Sequence, residues 1–89
     1  MSGTFPVVVA VVRDLFPKMI AADVRAGDIG AQPLTRGSSG NILIAVKLQS
    51  IFGFRIPDAE AVLWTTIDDV IGTVDRLRSV NAELVGRRA

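Results

Sequence analysis

The chain has no histidine and no cysteine in its 89 residues. The first absence removes the commonest general base near neutral pH and the commonest metal ligand. The second removes disulfides and thiolate chemistry, and fits a cytoplasmic location. Charge of one sign is missing too: ten Lys and Arg stand against nine Asp and Glu, a net of +1. A nucleic-acid footprint needs a clustered basic face with base-reading or aromatic residues, and Arg76, Arg78, Arg87 and Arg88 read instead as a solvated helix face and tail. The apolar run over residues 5–12 ends at Arg13 and Asp14, well short of the roughly 20 residues that cross a bilayer. It lacks the basic start and small-residue cleavage site of a signal peptide, so it reads as a buried helix. Membrane insertion and nucleic-acid binding are not expected. Asp68 and Asp69 read as helix-capping groups rather than a catalytic pair, and no acid/base constellation suggests an enzyme.

What is present is apolar and helical. Half the chain is hydrophobic (49%), enough to exclude disorder and to build one small domain over residues 1–89. Val8, Val12, Leu15 and Met19 fall at helical spacing within residues 5–20. Thr4 is placed to cap this helix, and Pro6 suits its first turn. The valines also suit a strand, but no comparable second strand follows to pair with them. Pro17 ends or kinks the helix. Residues 21–37 hold Gly27, Gly30, Pro33 and Gly37 without sustained periodicity and read as a long loop, anchored by Val24, Ile29 and Leu34. A second helix follows, capped by Ser38, Ser39 or Asn41. Its core side is expected to carry Ile44, Leu48 and Ile51, with Ile42, Ala45 and Phe52 nearby. Gly53 ends it. Residues 58–64 form a short third helical piece, with Trp64 packed on the core. Thr66, with Asp69 three residues on, starts a last helix whose stripe is Ile67, Val70, Ile71, Val74 and Leu77. This helix runs toward Leu84 before a tail, Gly86-Arg87-Arg88-Ala89.

One serine organises these pieces. Ser38 lies in Arg36-Gly37-Ser38-Ser39-Gly40, at the start of the second helix, and Phe52-Gly53-Phe54-Arg55-Ile56-Pro57-Asp58 closes that helix. Thr65-Thr66-Ile67 then opens the last one. A serine at this place, with Phe-Gly-x-x-Ile-Pro at the far end, resembles the acyl and peptidyl carrier proteins of fatty-acid, polyketide and nonribosomal peptide synthesis. The resemblance runs across almost the whole chain. It implies an all-α fold: a small four-helix bundle with a long first loop and a short third helix. It also implies that Ser38 carries a 4′-phosphopantetheine arm, transferred from coenzyme A, whose thiol holds the cargo as a thioester. Ser39 is the second candidate and requires a one-residue slip of register. The implied partners are a phosphopantetheinyl transferase and the enzymes that load and process acyl or aminoacyl chains.

The chain departs from the family's pattern in two ways. The usual Asp-Ser-Leu is replaced by Gly37-Ser38-Ser39. The second helix has no acidic residue, one base in Lys47, and outward candidates Leu43 and Val46. Docking is therefore assigned to Leu43, Val46 and Lys47 rather than to the usual acidic face. Two readings follow: a free-standing carrier from a specialised pathway, or an unmodified carrier-like docking or regulatory module that binds a partner through its apolar second helix.

Overall fold

Four α-helices are present in a computed structural model that describes residues 3–88, with side chains described through residue 84. They are α1 (Thr4–Leu15), α2 (Gly37–Phe52), α3 (Asp58–Ala61) and α4 (Ile67–Arg88), with one 3₁₀ turn over Ala26–Ala31. Among the described residues there is no strand. The expected all-α architecture holds: a four-helix bundle with a long first loop and a short third helix.

The valine run forms α1, and Val8, Val9, Val11 and Val12 are buried in it. The helix stops one turn before residue 20, the end expected from spacing. Phe16 is its C-cap and its N–H reaches Val12 O at 2.8 Å. Pro17 has no N–H to extend that ladder. Thr4 does not cap. Gly3 precedes the helix, and Thr4 is its first residue, buried against α4. The Thr4 hydroxyl donates to Asp75 and accepts from Arg78 (2.9 Å). These α4 groups offer it a stronger partner than the backbone of its own first turn. Arg78 also lies over the Phe52 ring, 5.0 Å from its centre, and Arg76 pairs with Glu60. The two arginines thus make contacts within the fold rather than forming a simple solvated face.

The core gathers α1, α2 and α4 around Ile44, Leu48, Val70 and Val74, with Ile71 and Leu77 packed at its margin. In α2 the buried set is Gly40, Asn41, Ile44, Ala45 and Leu48. Ile51, expected inside, is 49% exposed. The buried stripe passes from Leu48 to the half-buried Phe52, which turns Ile51 toward the open side of α1. Gly53 ends α2 in the left-handed region (φ 79°), with its N–H on Gln49 O. The Gln49 side chain then accepts the Ile56 N–H at 2.7 Å and steers the chain into α3.

The long loop is more ordered than its glycines suggest. Its 3₁₀ turn buries Ile29, and the next residues pair with the entry to α4. Leu34 N–H reaches Thr65 O (2.8 Å), and Ile67 N–H reaches Gln32 O (3.1 Å). At that entry Asp69 accepts the Thr66 N–H (3.1 Å) while its own N–H approaches the Thr66 hydroxyl (3.4 Å), a reciprocal capping box. Trp64 is buried and donates its indole N–H to Thr73 at 2.9 Å. Helix α4 extends to Arg88, past the expected start of the tail. Ala89 and the side chains of Arg87 and Arg88 lie outside the described residues.

Candidate functional site

Ser38 is exposed in the first turn of α2. The turn is set up by Gly37, whose φ of +67° places it in the left-handed region, where a side chain would be strained. Right-handed helical backbone therefore begins with Ser38. No side chain caps this helix, so Ser38, Ser39 and Asn41 do not play the capping role expected of one of them. The first intrahelical bond runs from the Gly40 N–H to Arg36 O (3.3 Å). Among the described residues, the N–H groups of Gly37, Ser38 and Ser39 have no acceptor. Both serine hydroxyls are likewise uncommitted.

The approach to this turn is packed from below. Arg36 lies over the Phe16 ring, 5.2 Å from its centre. Gly40 is buried beneath that pair. A Cβ at Gly40 would collide with the Arg36 side chain and come within 3.6 Å of Phe16. The residue before Ser38 is thus a glycine that bends the chain, next to an arginine held on an aromatic ring. The first turn of α2 contains no acidic residue. Free N–H groups at a helix start and no carboxylate in the turn together suit an anionic substituent. A phosphodiester on the Ser38 oxygen fits this setting. Ser38 is the residue placed to hold such a group.

Asn41, one turn further on, does something the sequence did not disclose. Buried to 3% exposure, its side-chain amide donates to Ala61 O (2.9 Å) and to Trp64 O (3.0 Å). The amide fixes the start of α2 to the end of α3. Between its two acceptors lie Val62 and Leu63, 41% and 75% exposed. These residues were missed as surface candidates. The available signal was the three-residue spacing of Ala61 and Trp64, which puts one face inward and leaves the two residues between them outward.

Leu43 and Val46 are each 54% exposed, and Lys47 is exposed beside them. Ser38, Ile42 and Val46 form one i, i+4 row along α2, and Ser39, Leu43, Lys47 and Ile51 form the next. Ser38 is therefore aligned with Val46. Lys47 belongs instead to the side of α2 that faces α1. No group of side chains suited to a metal ion occurs among the described residues, and none of the described helices is long and apolar enough to cross a membrane. Compared with protein families, curated proteins and solved structures, the chain matches none of them.

Proposed function

We propose that this protein is a carrier that tethers acyl, polyketide or aminoacyl intermediates as thioesters on a phosphopantetheine arm at Ser38. The observation that supports this reading best is the setting of that serine. Its hydroxyl is exposed and used for no cap, in a helix turn with free N–H groups and no carboxylate, on an all-α bundle of the expected layout. In the attachment step, the Ser38 oxygen bonds to the pantetheine-side phosphorus of coenzyme A. The bond from that phosphorus to the bridging oxygen breaks, adenosine bisphosphate leaves, and the serine proton passes to a base on the transferase. Delivery then rests on recognition of the surface beside the arm, for which Leu43 and Val46 on α2 and Val62 and Leu63 after α3 are the apolar candidates. A cytoplasmic setting goes with this reading, since coenzyme A and the loading enzymes must reach the protein.

A second reading has its own support. The Gly37-Ser38-Ser39 sequence lacks the family's aspartate and leucine, and the apolar surface of α2 needs no arm to bind a partner. On that reading the protein is an unmodified docking or regulatory module. Intact-protein mass after incubation with coenzyme A and a broad-specificity phosphopantetheinyl transferase separates the two. Wild type is expected to gain one phosphopantetheine unit, and Ser38→Ala none. A full gain in Ser38→Ala moves the site to Ser39, and wild type inert to several transferases supports the unmodified module.

A further inference from the structure

α1 and α2 lie side by side and leave an open groove of about 430 Å³ between them. One wall is Pro6, Val7 and Ala10, with Asp14 toward the end of α1; the other is Lys47 and Ile51. The groove is apolar except for one acid and one base on opposite walls. Among the described residues the ion pair is Arg76 with Glu60, and neither Asp14 nor Lys47 has a charged partner. We propose that a second copy of this chain covers the groove, in a two-fold dimer that sets Asp14 of each copy against Lys47 of the other.

The charge pattern selects this occupant. A partner segment of one charge sign would pair with one wall and oppose the other, and like charges brought together at an interface are costly. A second copy meets both. With the two-fold axis running along the groove, α1 of one chain lies on α2 of the other, and each acid faces a base. In an isologous interface every such contact is made twice. α1, about 18 Å long at 1.5 Å per residue, fits within the roughly 24 Å of α2. Ile51, half-exposed on the free chain, gains the apolar cover that its own bundle does not provide. Ser38 precedes Lys47 by nine residues, about two and a half helical turns, so it lies on the opposite side of α2 and stays open in the dimer. The inference therefore stands apart from attachment at Ser38, while Leu43, one turn before Lys47 in the same row, lies at the edge of the dimer face.

Charge exchange tests it. Asp14 and Lys47 are both exposed, so substitution there is expected to leave the fold intact, which far-UV circular dichroism and melting check. Sedimentation of the full chain from micromolar to submillimolar concentration is expected to show a monomer–dimer equilibrium. Asp14→Lys and Lys47→Asp are each expected to weaken the dimer at least tenfold, because each places like charges together. Mixing the two single variants in equal amounts is expected to restore dimerisation, since the acids of one then meet the bases of the other. The chain carrying both changes is expected to dimerise as wild type does. A wild type that is monomeric throughout, single variants that dimerise undiminished, or a mixture that stays monomeric would each overturn the proposal.

Discussion

Asp69 shows how much one exposed side chain is asked to do here. Its carboxylate accepts the Thr65 N–H (2.8 Å), the Thr65 hydroxyl (2.7 Å) and the Thr66 N–H (3.1 Å). The Thr65 N–H, then its hydroxyl, hold the carboxyl below its usual range. A carboxyl whose pKa is lower in the folded chain stabilises the fold above its unfolded value of about 4, and that contribution is lost as pH falls through the folded value. Wild type is therefore expected to be more stable than Asp69→Asn near neutral pH, with the gap closing in acid below about pH 4. Thermal melts against pH check this, and curves that stay parallel would show that the carboxylate's charge contributes nothing. Gly40 makes a second test. Alanine is the better helix former, yet its Cβ would collide with the Arg36 Cβ, which no rotation of that side chain moves. Overpacking of this kind costs about 1–3 kcal/mol, so Gly40→Ala is expected to lower the unfolding free energy despite its propensity. A variant as stable as wild type would mean that the backbone at Arg36 shifts without cost.

The helices were legible to different degrees, according to whether their signals are local. The end of α2 was readable because Gly53 is a local stop signal, and the start of α4 because Thr66 and Asp69 cap it within one turn. Pro17 marked the end of α1 for the same reason. Asn41 was not readable: its acceptors, Ala61 O and Trp64 O, are 20 and 23 residues away, and no local pattern separates a capping asparagine from one that clamps another helix. Ile51 has the right spacing for the core, but which flank of an apolar helix is covered depends on where its neighbour lies. The 3₁₀ turn over Ala26–Ala31 was hidden by glycines and by backbone pairing with the entry to α4. At the candidate site, the sequence located Ser38 and the outward Leu43 and Val46, but not Val62, Leu63 or the arginine on Phe16. The register of α2 can be tested directly. Leu48 is fully buried at its centre, so Leu48→Ala is expected to cost about 2–5 kcal/mol. Unchanged denaturant unfolding would contradict the burial described for this helix.

Taken whole, the molecule has little charge with which to attract a partner from a distance. Its net charge is +1, and two of its arginines, Arg76 and Arg78, are engaged by Glu60, Thr4 and Phe52. No carboxylate lies on α2. Salt at 0.1 M shortens the reach of charge attraction to about 10 Å, while apolar burial does not depend on that reach. On the carrier reading, affinity for a loading or processing enzyme is therefore expected to change little across the physiological salt range. Leu43→Glu and Val46→Glu are expected to weaken binding while melting near the wild-type temperature. A salt titration of binding, run beside both variants, checks this; a steep loss with salt and silent substitutions would count against an apolar docking surface.

The clasp made by Asn41 has a consequence for motion. One turn of helix gains too few bonds to sustain itself, and α3 spans four residues. Its order is borrowed from the Asn41 amide, the Trp64 indole on Thr73, the Glu60–Arg76 pair and the burial of Ala61 and Trp64 in the core. Those contacts come from α2 and α4, so the amide protons of α3 are expected to exchange only as these neighbours open. Val62 and Leu63 ride on that segment, beside the start of α2. The surface they offer is thus held in place from inside, by the same packing that joins α2, α3 and α4.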